Sequence, residues 1–213
     1  IGFQALAGNT SGQLNTAIGY NALVSNVAGD KNVAIGYQAG EDYNPTADYG
    51  NSVFIGHQAG LNVTEARKAT VIGNAAVGSG IMTGNQNTVI GNEAGYALVA
   101  GQQNTLMGVG TADAMTSGSY NVAIGVDAIG VSTDVDLSVA IGHSAMGGGN
   151  VTSGADGSVA VGKGALGALI GGGANVAVGF EAGLALVSGD RNVYVGYQAG
   201  EAATTADYNV VIG

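Results

Sequence analysis

Asn121-Val-Ala-Ile-Gly125 is the phrase on which the whole chain is built, and it recurs unchanged at Asn32–Gly36. Ile-Gly or a close variant begins at Ile1, Ile18, Ile35, Ile55, Ile72, Ile90, Met107, Ile124, Ile141, Val161, Val178, Val195 and Ile212. The successive spacings are 17, 17, 20, 17, 18, 17, 17, 17, 20, 17, 17 and 17 residues. Twelve repeats therefore cover the chain, with three small insertions. A fixed period of this kind marks a stacked array, in which one repeat cannot bury its apolar face alone.

Aligned on the Ile, the repeats share a grammar. Asn stands three residues earlier in eight of twelve cases (Asn15, Asn32, Asn87, Asn104, Asn121, Asn175, Asn192, Asn209), replaced elsewhere by Ser52, Ser138, Ser158 or Ala69. Only Val or Thr stands two residues earlier, and Ala stands four residues later in all repeats but that of Thr111. β-Branched residues at alternate positions followed by Gly predict a strand, and this density of Gly disfavours a helix. The expected coil is a strand of four or five residues, a Gly corner, a second short strand and a loop. Stacked about 4.8 Å apart, twelve coils make a rod of roughly 55–60 Å.

The columns of such a stack carry expectations of their own. Val and Ile are expected to form the dry interior, and the Asn column a ladder of bonded amides. The Gly after Ile is expected at positive φ. Ala17, Ala34, Ala123, Ala140, Ala160 and Ala177, directly before the Ile, are expected to point the opposite way, toward a neighbouring chain. A thin coil buries little by itself, so partner chains would supply the missing apolar contact. The reading is all-β: a parallel β-roll or β-solenoid of about twelve 17-residue coils, one repetitive unit over residues 1–213, associated as a homotrimer.

Composition narrows the function classes. Of 213 residues 40 are Gly, 1 is Pro and none is Cys or Trp; 15 acidic against 5 basic residues give a net charge of −10. With 46% hydrophobic residues the chain is too apolar to stay disordered, and without a Gly-X-Y period it is not collagen. Five basic residues cannot neutralise a phosphate backbone, which argues against nucleic-acid binding. The absence of Cys removes disulfides and thiolate metal sites. The uncharged stretch 164–180 keeps the repeat register and is Gly-rich, so no membrane span is expected. The chain begins at Ile1 and ends at Gly213 in register and without caps, as expected of an internal segment of a longer fibre protein.

The Asn-Val-Ala-Ile-Gly core resembles the head repeat of YadA-type trimeric adhesins, a left-handed parallel β-roll. Gly-Tyr-Asn-Ala-Leu (Gly19–Leu23) and Gly-Tyr-Gln-Ala-Gly (Gly36–Gly40, Gly196–Gly200) are closer still to repeats of phage tail fibres, which also occur in bacterial surface proteins ending in an endosialidase-type chaperone domain. The resemblance covers essentially the entire chain and departs from the adhesin head in coil length, about 17 against about 14 residues. It implies a left-handed trimeric roll located in a virion tail fibre, outside the cell, or alternatively on a bacterial surface. The implied partners are two further copies of the chain, other fibre or virion proteins, and a host cell-surface receptor or glycan.

Motifs that elsewhere carry chemistry fall here on repeat positions. Gly162-Lys-Gly-Ala-Leu-Gly167 matches a dinucleotide pattern, but no helix is expected after it and Gly164 stands where a phosphate loop needs Ser or Thr. Asp134-Val-Asp-Leu-Ser138 lacks the Gly and distant Glu of a calcium loop. Glu41, Asp42 and Asp48 cluster in the first 20-residue coil and Asp156 lies in the second; they read as solvated loop acids. His57 and His143 share one column five coils apart, too far to share a metal, in a stripe with Phe3, Tyr20, Tyr37, Phe180 and Tyr197 that offers a sugar-stacking surface as the sharper alternative. No catalytic, cofactor or metal residue is assigned, and no ligand-binding residue. Paired carboxylates for glycan cleavage are missing, so the chain is not expected to be an enzyme. The reading is a structural shaft or head segment of a trimeric phage tail fibre; the alternative is the matrix- or glycan-binding head of a bacterial adhesin. Any lateral binding is expected at the insertions near 42–49 and 147–156. A block duplication explains why 29–41 nearly recurs as 189–201.

Overall fold

The computed structural model describes residues 1–46 and 50–213, and in it the repeat forms a parallel β-solenoid of about eleven turns. Each turn contributes one three-residue strand. The first six are β1 Thr16–Ile18, β2 Val33–Ile35, β3 Val53–Ile55, β4 Thr70–Ile72, β5 Thr88–Ile90 and β6 Thr105–Met107. The rest are β7 Val122–Ile124, β8 Val139–Ile141, β9 Val159–Val161, β10 Val176–Val178, β11 Val193–Val195 and β12 Val210–Ile212. They form a single sheet in sequence order, and every neighbouring pair is parallel with Ile opposite Ile or its substitute. Among the described residues there is no α-helix, only a 3-10 turn at Ser153–Ala155.

Two expectations about the coil fail. The strand is shorter than four residues, and among the described residues no second strand follows the corner. After the Gly the chain instead alternates ordinary and left-handed backbone: in the β7 coil Gly125 has φ 135°, Asp127 54° and Ile129 55°. The intercoil bonding nonetheless continues through this turn, with the Asp127 N–H donating to Val109 O at 3.1 Å and the Ile129 N–H to Ala145 O at 3.0 Å. A turn that repeats in register can satisfy its backbone from the coils above and below, so a second strand is not required.

The interior is also inverted relative to expectation. The residue before the Ile points inward and is buried in β1 to β11, whereas Val or Thr and Ile face outward, half-buried or exposed. Side chains alternate across a strand, so one face had to be chosen, and the narrow coil chooses the smaller residue. Ala17, Ala34, Ala123, Ala140, Ala160 and Ala177 are small because the interior is thin, and they sit there with the Ala column four residues after the Ile. Where the inward residue is large, space is cleared by Gly. A Cβ on Gly40 or Gly60 would lie 2.8 or 2.4 Å from the Phe54 ring, and one on Gly183 or Gly200 would lie 2.8 or 2.2 Å from the Tyr194 ring.

The Asn ladder forms as expected and does more than bond amide to amide. Asn104 Oδ1 accepts the Asn121 backbone N–H at 2.9 Å and its side-chain amide at 3.1 Å, while Asn104 Nδ2 donates to Gly118 O at 2.8 Å and Asn87 Oδ1 at 3.1 Å. The Ser substitutions keep part of the function, since Ser52 Oγ accepts the Ala69 N–H at 3.1 Å and Ser158 Oγ that of Asn175 at 3.2 Å. Asn104→Ala is expected to leave a buried N–H and carbonyl unpaired and to cost about 1–3 kcal/mol. Asn104→Ser should cost less. Equal urea midpoints for wild type and Asn104→Ala would contradict the role given to the ladder.

The corner Gly stands where positive φ was expected. A Cβ on Gly125 would also lie 2.6 Å from Gly142 O of the next coil. Gly125→Val is therefore expected to lose on the order of 1–3 kcal/mol to backbone strain alone. Gly171→Ala, with nothing within 4 Å of the new methyl, is expected to melt like wild type. Thermal unfolding of the two variants side by side checks both statements.

Candidate functional site

Because the strand face that was expected inside is outside, the solenoid carries an apolar stripe along its length. Ile18 is 41% exposed, Ile35 37%, Met107 40%, Ile141 36% and Val178 38%. Two positions earlier in each strand, Val or Thr flanks this column on the same face.

The column two residues after the Ile borders the stripe. Phe3, Tyr20, Tyr37 and His57 stack in succession, with ring centroids 5.3, 5.3 and 5.2 Å apart and planes within 15° of parallel. Phe180 and Tyr197 repeat the arrangement at 5.2 Å. The middle of the column holds Asn74, Asn92, Val109, Val126, His143 and Lys163. Lys163 lies over the Phe180 ring at 5.3 Å, and His143 Nδ1 is 3.1 Å from Ser144 Oγ. Within each stack neighbouring rings share their faces, and only the end rings Phe3 and Tyr197, 64% and 67% exposed, keep a face open. Sugar stacking needs an exposed ring face, which the rings inside the Phe3–His57 stack do not offer.

A second side-chain ladder, not foreseen from the sequence, runs along the corner five residues before the Ile. Asp30, Asp136, Asp156, Asp190 and Asp207 share that register. Asp136 Oδ1 accepts the Ser119 N–H at 2.6 Å, Asp156 Oδ1 the Asp136 N–H at 2.9 Å, and Asp207 Oδ1 the Asp190 N–H at 2.8 Å. Here the donor lies in the earlier coil, opposite to the Asn ladder. The signal was present as an acidic column, but its meaning depends on which way the backbone N–H points. Burial pushes the Asp156 carboxyl up; the N–H bond from Asp136 pulls it down, and the Asp136 and Asp134 charges push it up again.

The inserted residues are tied into the stack. In the first, Asn44 Oδ1 accepts the Val27 N–H at 3.0 Å, and Tyr43 is fully buried beside Phe54 with its hydroxyl 3.0 Å from Ser52 Oγ. Asp48 and Tyr49 lie outside the described residues. In the second, Val151 is buried and donates its N–H to Ser132 Oγ at 3.0 Å, and Asp156 belongs to the acidic ladder. Among the described residues no three His, Asp or Glu side chains converge as metal ligands. Gly162, Gly164 and Gly167 occupy turn positions between β9 and β10, with no helix among them. No described helix is long and apolar enough to cross a membrane. No protein-family model, curated protein or solved structure matches the chain.

Burial pushes the Tyr43 phenol from 10.0 up to about 12, outweighing the Ser52 hydrogen bond and the nearby Arg67 charge. The fold thus keeps this acid neutral. Below pH 10 both folded and unfolded phenols are protonated; between 10 and about 12 only the unfolded one ionises, so stability falls as pH rises through that window. Tyr43→Phe should show a shallower fall than wild type when urea midpoints are compared at about pH 9 and about pH 11.5. Parallel slopes would contradict the burial of a neutral phenol here.

Proposed function

We propose that this chain is a structural shaft or head segment of a homotrimeric fibre, most consistent with a phage tail fibre that takes part in host attachment. The observation that carries the assembly is the outward apolar stripe. Eleven intercoil steps at about 4.8 Å and a width of three residues at about 3.3 Å make a face of roughly 53 by 10 Å, near 530 Å². Each partner in a standard stable interface buries about 800 Å². What marks this face is its continuity: the Ile, Met and Val column runs from Ile1 to Ile212 without a polar or charged residue.

The occupant of this face is a second copy of the same chain. Ridges that recur at the coil spacing over the full length mesh best with a surface of equal period, and another copy in register has it. Three copies, and the left-handed winding, follow the resemblance of Asn-Val-Ala-Ile-Gly and Gly-Tyr-Gln-Ala-Gly to trimeric fibre repeats.

Thinness of the coil does not by itself call for partner chains. The solenoid exposes 8425 Å², against about 8900 Å² for an average folded monomer of 20.6 kDa. A single chain thus buries its share of surface, and the stripe rather than thinness supports assembly. Light scattering on refolded protein should give three times 20.6 kDa. Ile35→Lys with Ile141→Lys should give a folded monomer, because both side chains are exposed in one chain. A wild-type monomer at micromolar concentration would overturn the proposal.

A further inference from the structure

The outward face is wider than the Ile column. In the coils of β1 to β11 every residue four before the Ile is exposed, Leu14 and Leu137 at 76% and 63%. Every residue two after the Ile is exposed as well, except Phe180. These two columns are the borders of one face, with Val or Thr and Ile between them. Neither border carries an acid in any of these coils, although the chain has 15 acidic residues. Together they hold four of its 5 basic residues, Lys31, Lys68, Lys163 and Arg191, and also Tyr20, Tyr37, Tyr120 and Tyr197. Contact surfaces are depleted in Asp and Glu and enriched in Tyr and Arg, and their rims are polar. Acids resume one column further out on each side, where such a rim belongs.

We propose that the two borders meet between copies: the column four before the Ile of one copy packs on the column two after the Ile of its neighbour, coil against equivalent coil. This rests on the trimer reading and names the surfaces that close it. In a closed ring of three, each copy turns a different border to each of its neighbours. Rotation about an axis along the rod keeps equivalent coils at one height. Seven residues across at about 3.3 Å and roughly 53 Å long, the widened face covers about 1,200 Å², or about 600 Å² toward each neighbour. Counted over both partners this reaches the lower end of a standard interface, about 1,200 Å², which the Ile column alone does not.

Coil by coil, the borders complement one another. The smallest residues of one border, Gly157 and Ala174, stand level with Lys163 and Phe180, two of the larger residues of the other. Tyr120 is level with Val126, Gln86 with Asn92, and Lys31 with Tyr37, a cation beside an aromatic ring. The rims keep the same register. Asp30, Asp136, Asp156 and Asp190, five before the Ile, are level with Gln38, Ser144, Gly164 and Gln198, three after it. Glu93, Asp127 and Glu181 on that second rim are level with Asn85, Ser119 and Gly173 on the first. Acid is never set against acid across the contact. A single chain gains nothing from this spacing, because its two rims lie on opposite borders of the face.

The chain has no Cys, so engineered pairs test the contact. A disulfide needs Cα atoms about 4.4–6.8 Å apart, which excludes coils two steps away at about 9.6 Å. Leu137→Cys combined with His143→Cys, both exposed and in one coil, should give a covalent trimer on a non-reducing denaturing gel after mild oxidation. Each single variant should run as a monomer there, and so should Leu137→Cys combined with Val109→Cys, two coils away. Circular dichroism checks that the variants fold, and light scattering gives the wild-type assembly. A wild-type trimer whose matched pair does not cross-link, or in which Leu137→Cys alone or the unmatched pair does, overturns the border contact and leaves the trimer standing. A wild-type monomer overturns both.

Discussion

Every feature of this chain depends on the axial hydrogen-bond ladder that sets each coil on its equivalent in the next. Between β1 and β2 the Thr16 N–H donates to Asn32 O, and the Gly36 N–H donates to Ile18 O, both at 2.8 Å. The same pattern returns at successive coils and persists through the turns. Like is therefore placed on like, about 4.8 Å apart. Two equal charges at that distance repel by about 0.9 kcal/mol even in water. A chain built this way does best with amides, hydroxyls and small residues, and only 9% of its residues are charged. Where acids do stack, as at Asp136 and Asp156, each carboxylate accepts a backbone N–H that offsets the repulsion. The Asn and Asp ladders run in opposite directions, so side chains grip the stack toward both ends.

The interior obeys a volume rule rather than a hydrophobicity rule. The inward strand position and the position five after the Ile share one narrow space. Phe54 and Tyr194 fit because Gly flanks them, and Ala123 and Ala160 are accompanied by Ile129 and Leu166. Close packing of this kind makes the single chain a finished object with an ordinary exposed area for its mass. Apolar side chains are exposed at corners, as at Leu14, Val131, Leu137 and Ile170, but the Ile column is the one that recurs in every coil.

Functionally, a uniform stack makes a good spacer and a poor receptor site, because recognition needs unlike residues converging in one place. The aromatic column illustrates this: most of its rings stack on one another along the axis. Departures from the repeat are where distinct chemistry gathers. Arg67 and Lys68 follow the first insertion, while the second insertion is drawn into the stack through Val151 and Asp156.

The sequence by itself determined the solenoid, its register, the Asn ladder and the positive φ of the corner Gly. Each of these is a property of the 17-residue period or of one residue type whose chemistry admits few alternatives. What only the tertiary structure decided was the direction in which the strand faces. Alternation says that Val122 and Ile124 share one side and Ala123 the other, but which side is interior depends on how closely the opposite wall of the coil approaches. That wall is the turn carrying Ala128 and Ile129, whose left-handed backbone at a β-branched residue is not readable from local preference. It also replaces the expected second strand and leaves Ile rather than Ala on the outward face.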